Sequence, residues 1–234
     1  MDLSVVVPAH NEAESLGPLV REIGAALGPG ASYEIVVVDD GSTDATSARA
    51  EEIARTNPRL RVVRHPTSRG QSFAIATGVR AASGAWIATL DGDGQNDPAD
   101  IPRLLALRHA ESAGAGPLLV AGYRRKRRDS WLKRVSSRVA NAVRGRLLGD
   151  RTPDTGCGLK VFEREVFLAL PHFDHMHRFL PALFLRAGGR VVSVEVAHRP
   201  RERGVSHYGM WNRLWAGIVD IAGVWWLIRR REKR

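Results

Sequence analysis

Within the first 125 residues, short apolar runs end again and again in polar clusters, and this punctuation limits the folds open to the chain. The runs are "LSVVVP" (Leu3–Pro8), "YEIVVVDD" (Tyr33–Asp40), "LRVVRH", "AWIATLD" and "PLLVAGYR". Between them lie stretches with helical spacing, such as "EAESLGPLVREIGAAL", "STDATSARAEEIARTN", Gly70–Ala82 and Pro98 to about His109. Strands that are apolar throughout and alternate with helices indicate a mostly parallel sheet with helices on both faces. In such sheets ligands bind outside the carboxyl ends of the strands. "PAHNE", "DDGS", "LDGDGQ" and "GYR" all fall at those ends, so they converge on one cleft although more than 100 residues separate the first from the last.

The second half is less regular. Asp129–Gly149 reads as a helix with a basic face and a tryptophan, Trp131. "PDTGCGLKVF" is a loop entering a short strand, "HRFLPALFLRAG" an apolar helix and "RVVSVEVAHRP" a strand. A polar loop, "RERGVSHYG", leads to the most apolar helix, Met210–Ile228, and then to "RRREKR". Residues 1–209 therefore read as one α/β domain and 210–234 as an apolar and basic C-terminal helix.

The net charge is +10, carried almost wholly by arginine, since Lys126, Lys133, Lys160 and Lys233 are the only lysines. Such a balance points to a polyanionic partner. No nucleic-acid-binding module is recognisable, which leaves phosphorylated substrates and anionic lipid. A lone cysteine, Cys157, forbids an internal disulfide and suggests a reducing compartment. The start of the chain does not read as a signal peptide, and no stretch holds about 18 uninterrupted apolar residues. These features predict a cytoplasmic protein, peripheral on the inner face of a membrane.

The acidic strand end "LDGDGQNDP" is the most telling cluster, because crowded carboxylates repel and are costly to desolvate. An EF-hand register fails, with Asn96 where glycine is required and Pro102 where glutamate is required. A phosphotransferase with a D-x-D-x-T nucleophile would need threonine where Gln95 stands. Neither a P-loop nor a dinucleotide-binding glycine motif is present. Asp97 before Pro98 fits a helix cap, but capping does not explain Asp91 and Asp93. The remaining reading is a Mg²⁺ or Mn²⁺ ion that takes one or two carboxylates and completes its shell with substrate phosphates.

"VVVPAHNE", "VVVDDGSTD" and "ATLDGDGQNDP" together resemble the family 2 glycosyltransferases, enzymes with a nucleotide-sugar-binding GT-A fold. "AGYRRKRRDSWLKRVSSRVAN", "DTGCGLKVFERE" and "HRPRERGVSHYG" are similar to the dolichyl- and polyprenyl-phosphate sugar synthase branch, that of the dolichyl-phosphate mannose synthases. The likeness runs over about residues 3 to 209. It implies that Pro8, Ala9, Asn11 and Glu12 line the nucleoside pocket, that Asp39 faces the base with Asp40 beside it, and that Arg69 lies near the base. It further implies Asp91, Asp93 and Gln95 as metal and diphosphate ligands, and Arg124 as the arginine that meets the acceptor phosphate. Lys133, Arg134 and Ser137 would form a second acceptor-phosphate site, and Arg201 would hold the donor diphosphate. His207 stands where the family often has lysine.

The reaction implied is inverting transfer of a sugar from a nucleotide-diphosphate sugar to polyprenyl phosphate. A phosphate monoester has its second pKa near 6 and needs no general base at neutral pH. The tasks left to the protein are positioning and electrostatics, for which arginine is suited. A hydroxyl acceptor would instead demand a carboxylate base, with Asp154 as the candidate; a non-catalytic membrane-recruited nucleotide-binding module is the third reading. "PHFDHMHRF" offers His172, His175 and His177 to zinc, without a second ligand cluster. The C-terminal helix is read as lying in an anionic membrane interface or docking a separate membrane subunit, the alternative being packing on the domain core.

Overall fold

The computed structural model describes residues 1–111, 116–124, 144–200 and 210–230. Seven strands form one sheet in the order β3-β2-β1-β4-β6-β5-β7. They are β1 (Leu3–Ala9), β2 (Tyr33–Asp40), β3 (Leu60–His65), β4 (Trp86–Thr89), β5 (Leu118–Tyr123), β6 (Lys160–Glu163) and β7 (Arg190–Glu195). β1 pairs in parallel with β2 and β4, β2 with β3, and β5 with β7. β6 alone runs antiparallel, inserted between β4 and β5. The carboxyl ends of β1, β2, β4 and β5 therefore share one edge, and the loop that enters β6 reaches the same edge.

The helices are α1 (Ala13–Leu27), α2 (Thr46–Thr56), α3 (Gln71–Ala81), α4 (Ile101–Glu111), α5 (Arg164–Ala169), α6 (Leu180–Arg186) and α7 (Met210–Arg229). The expected Pro98 helix begins as a 3₁₀ turn, Pro98–Asp100, capped by Asp97, whose Oδ1 accepts from Ala99 N at 3.0 Å. Of the expected Asp129–Gly149 helix, residues 144–148 are helical and the rest lies outside the described residues.

The apolar runs are apolar throughout because the sheet has a core on each face. Val5, Val7, Ile35 and Val37 join Leu16, Leu19 and Ile23 of α1 and Leu104 of α4 on one side. Val6, Val36 and Val38 join Ala74 and Val79 of α3, Phe167 of α5 and Phe184 of α6 on the other. Alternate residues of one strand thus serve opposite layers. α3 lies so close to the sheet that a Cβ on Gly78 would meet Val6 Cγ1 at 2.4 Å, and this contact sets the depth of the helix that opens at the cleft.

α7 docks on the second layer through Val224, 2% exposed, with Ile221, Trp225, Leu227 and Ile228 packed around it. Two polar ties fix it: His175 Nδ1 lies 2.9 Å from Asp220 Oδ2, and Arg186 Nε donates to Leu227 O at 3.1 Å. The opposite face leaves Val219 62% and Trp226 56% exposed. No described helix is long and apolar enough to cross a membrane.

The docking of α7 rests on a small apolar contact. Val224→Asp would bury a carboxylate without a partner and should cost about 3 kcal/mol of unfolding free energy. Urea denaturation, followed by tryptophan fluorescence, checks this; a change under about 0.5 kcal/mol would mean that the helix is not held there.

Candidate active site

The cleft starts where β1 and β2 end. Asp39 is fully buried, and its Oδ1 accepts from Ser42 N at 3.0 Å. Its Oδ2 has no hydrogen-bond partner among the described residues; the nearest positive group is Arg64 Nε at 3.7 Å, on an exposed side chain. A buried carboxylate oxygen left without a donor is costly, and an imide N–H of a nucleobase would satisfy it. Asn11, at φ 58°, clasps the facing turn: its Oδ1 accepts from Thr43 N at 2.9 Å and Asp44 N at 3.3 Å, while its own N donates to Ser42 Oγ at 3.0 Å. Glu12 N donates to Thr46 Oγ1 at 2.8 Å. Pro8 and Ala9 line the strand end, with Pro8 O accepting from Gly92 N at 3.2 Å.

Asp40 does a different job from its neighbour. Its two oxygens accept from His65 Nδ1 (2.7 Å), Ser68 Oγ (2.8 Å), Arg69 N (2.9 Å) and Gly70 N (2.9 Å). Burial opposes its ionisation, but these donors together hold its carboxyl below the usual range. Asp40 therefore fixes the 65–70 loop and the start of α3. Arg69 hangs from that loop, exposed, with its guanidinium 5.0 Å from the Phe73 ring centre.

The acidic turn follows β4. Gln71 Nε2, on the first turn of α3, donates to Asp91 Oδ1 at 2.7 Å, and Asp91 N donates to Asn96 Oδ1 at 3.4 Å. The Asp91 carboxyl rests on Gly158, where a Cβ would come within 2.4 Å of it, so only glycine leaves room. Burial and then the charge of Asp93 push the Asp91 pKa up to about 6, against the pull of Lys160, Arg124 and the Gln71 bond. Asp93 Oδ1 accepts from Gln95 N at 3.1 Å, and the Gln95 amide donates to Arg199 O at 3.4 Å. A cavity of about 330 Å³ opens beside the turn, lined by Asp93, Gly94, Arg199 and residues of α1. Among the described residues no three His, Cys, Asp or Glu side chains gather as a self-sufficient metal site. Two carboxylates close enough to repel each other fit a divalent ion that draws its other ligands from substrate phosphates.

The far wall is the loop before β6. Arg124 makes a two-point ion pair with Asp154, Nε to Oδ2 at 2.6 Å and Nη2 to Oδ1 at 3.0 Å. Burial works against the guanidinium charge, and the Asp154 contact outweighs it. Arg144 braces this loop from behind, donating to Thr155 Oγ1 and to Thr152 O, both at 2.6 Å. Cys157 is fully buried, its thiol pKa raised by burial, as suits a small core residue in a tight loop. Lys133, Arg134, Ser137, Arg201 and His207 lie outside the described residues.

Residues 4–170 match the Glycosyl transferase family 2 profile. This chain belongs to glycosyl transferase family 2. Among curated relatives, it is 36% identical over 241 residues to a dodecaprenyl-phosphate galacturonate synthase of Rhizobium johnstonii, covering 100% of this chain and 69% of that one. It is 38% identical over 211 residues to an undecaprenyl-phosphate 4-deoxy-4-formamido-L-arabinose transferase of Edwardsiella ictaluri, covering 89% and 63%. The chain thus spans about two thirds of the length of these relatives. A glucosyl-3-phosphoglycerate synthase from Mycobacterium tuberculosis, solved with Mn²⁺, uridine diphosphate and glucosyl-3-phosphoglycerate, superposes with a TM-score of 0.67 at 25% identity, over 100% of this chain and 81% of that one. The staphylococcal TarS fragment with UDP-GlcNAc gives 0.66 at 18% identity, over 100% and 68%. The fold is the GT-A fold of these glycosyltransferases.

Three residues of this family 2 site escaped the sequence reading as functional groups: Gln71, Gly158 and Lys160. "RGQS" and "GCGLK" carry no metal or phosphate signature, and only packing brings them to Asp91. The three histidines separate instead of gathering: His172 meets the Phe167 ring edge, His175 meets Asp220, and His177 Nδ1 lies 2.7 Å from Ser72 Oγ.

The raised Asp91 pKa gives a signed pH dependence. The metal-free protein loses stability from this group as pH rises from about 4 through about 6, because ionisation is disfavoured in the fold. Metal binding runs the opposite way, since a proton competes for the same oxygens. Mn²⁺ affinity, read by electron paramagnetic resonance, should fall steeply between pH 7 and pH 5, roughly tenfold per unit below the pKa of about 6. A flat profile would remove Asp91 from the metal site.

Proposed function

We propose that this chain transfers a sugar from a nucleotide-diphosphate sugar to polyprenyl phosphate with inversion, at a Mg²⁺ or Mn²⁺ site formed by Asp91 and Asp93 with Gln95 beside them. The single observation that carries the acceptor class is the Arg124–Asp154 pair. A hydroxyl acceptor needs a free carboxylate base, and Asp154, the candidate for it, is held at two points by a guanidinium. An already anionic phosphate needs no base but does need fixed positive charge, and Arg124 is a rigid, pre-oriented cation. The relatives named above are synthases of polyprenyl-phosphate-linked sugars, which supports the same acceptor.

Asp39 Oδ2 receives the base and Asn11 and Glu12 border the nucleoside. A divalent ion on the acidic turn supplies charge to the leaving diphosphate. Asp40 and Gln71 hold the loop and the carboxylate that this requires. Arg124, with Lys133, Arg134 and Ser137, takes the acceptor phosphate, and Arg201 the donor diphosphate.

The full chain, incubated with labelled nucleotide sugars, Mn²⁺ and undecaprenyl phosphate, should yield label in the lipid extract. Asp93→Ala should lower that rate at least about 100-fold with unchanged thermal unfolding. Arg124→Ala should raise KM for polyprenyl phosphate about tenfold or more and leave nucleotide affinity within about twofold. Label found only in water-soluble product, or equal loss of nucleotide affinity, would defeat the acceptor assignment.

The exposed side of α7 is the proposed membrane contact. Val219 and Trp226 face outward, Arg230 lies over the Trp226 ring at 5.9 Å, and the sequence continues into a basic terminus. Tryptophan favours the headgroup level, and each basic residue adds about 1 kcal/mol at an anionic surface. These features support a position at the cytoplasmic face of a membrane, with docking to a membrane subunit as the alternative use of the same side. Trp226→Ser should weaken binding to phosphatidylglycerol vesicles several-fold while unfolding stability moves by less than about 0.5 kcal/mol. Undiminished sedimentation with vesicles would move the contact elsewhere.

A further inference from the structure

Lys160 is 3% exposed, at the first position of β6, paired in register with Thr89 of β4, two residues before Asp91. A buried ammonium is expensive unless it is matched by charge and by acceptors. Among the described residues its one hydrogen-bond acceptor is the carbonyl of Cys157. That carbonyl belongs to the peptide leading into Gly158, the residue on which the Asp91 carboxyl rests. Thr89 Oγ1 donates to the next carbonyl, Gly158 O, at 2.7 Å, so β4 and β6 together pin the two peptides that flank Gly158. Burial pulls the Lys160 pKa below its ordinary value and Arg124 adds to that, while the charges of Asp91 and Asp154 oppose the fall. Among the described residues, Asp91 and Asp154 thus face two buried or half-buried cations, Arg124 and Lys160. Neither sequence motif nor reaction chemistry assigned Lys160 a part.

We propose that Lys160 is the internal counter-charge of the acidic turn, a positioning residue that stands in for part of the cation's charge and keeps a positive field under the leaving diphosphate. The proposal rests on the metal reading given above. It explains how the turn holds Asp91 against Asp93 before an ion arrives: the ammonium offsets their repulsion and its bond to Cys157 fixes the floor on which Asp91 lies. It also gives the protein a way to bind the ion moderately and the metal–diphosphate complex well. A fixed positive charge beside the site repels the bare divalent ion and attracts the anion that comes with the donor.

Opposite signs on the two ligands separate this role from a merely structural one. Lys160→Gln removes the charge and keeps a donor for Cys157 O; Lys160→Met removes both and retains the buried stem. Mn²⁺ binding to the full chain is read by electron paramagnetic resonance, and uridine diphosphate binding at saturating Mn²⁺ by calorimetry. Both variants should bind Mn²⁺ alone at least about threefold tighter than the parent chain, and uridine diphosphate at least about threefold weaker. Unchanged Mn²⁺ affinity in either folded variant overturns the proposal. So does parallel weakening of both ligands, which is the mark of a distorted site. Asp93→Ala is the control for the underlying reading: if it binds Mn²⁺ as the parent does, the ion sits elsewhere and the metal assignment fails before Lys160 is in question.

Discussion

Everything in the cleft depends on seating two carboxylates at the end of a buried strand. Asp91 leaves β4 where water is scarce, with Asp93 one residue beyond the intervening glycine. The structure answers their repulsion with geometry and with charge. Gly158 gives the Asp91 carboxyl a place to lie, Gln71 takes one of its oxygens, and Lys160 and Arg124 supply positive charge. A divalent ion with its diphosphate is the ligand proposed for this turn. A site built this way is costly when empty and stabilised by its ligand, which is the arrangement expected of pre-organised electrostatic catalysis.

The loops around that turn are rigid for a common reason: each ends in a saturated carboxylate. Asp40 collects four donors and freezes the start of α3. Asp154 locks Arg124 at two points, and the Arg144 bonds to residues 152 and 155 hold the same loop from the other side. Asp39 is the exception, with one buried oxygen that has no donor among the described residues. Adjacent aspartates in "DDGS" therefore differ in their surroundings, Asp40 serving the scaffold and Asp39 being the one proposed to meet the base. For a reaction whose nucleophile is already charged, such positioning is most of what the protein must provide.

α7 links the catalytic layer to the exterior. Its inner side joins the same apolar layer as α3, α5 and α6, and the clasp between His175 and Asp220 ties it beside a second 3₁₀ turn, Met176–Arg178, which touches α3 through His177 and Ser72. Its outer side keeps Val219 and Trp226 in solvent. The helix therefore packs on the core, the alternative reading of the C-terminus, and leaves exposed the side for which the membrane contact is proposed.

The sequence by itself determined the strand–helix alternation, the edge where the polar strand ends gather, and the acidic turn at which the ion is proposed. These are local matters: period, capping and strand-end motifs are written within a few residues of one another. Asp97 at its cap and the five parallel strands of the first half needed no tertiary information. Only the tertiary structure decided that β6 enters antiparallel between β4 and β5, because that placement depends on pairings between residues more than 70 apart, Thr89 with Lys160 for instance. With β6 came the facts no spacing could show: Gly158 under Asp91, Lys160 buried, and Asp154 spent on Arg124. A lysine in a short strand reads the same whether it faces water or a carboxylate; what packs over it decides its charge environment, and that is set by distant chain segments meeting.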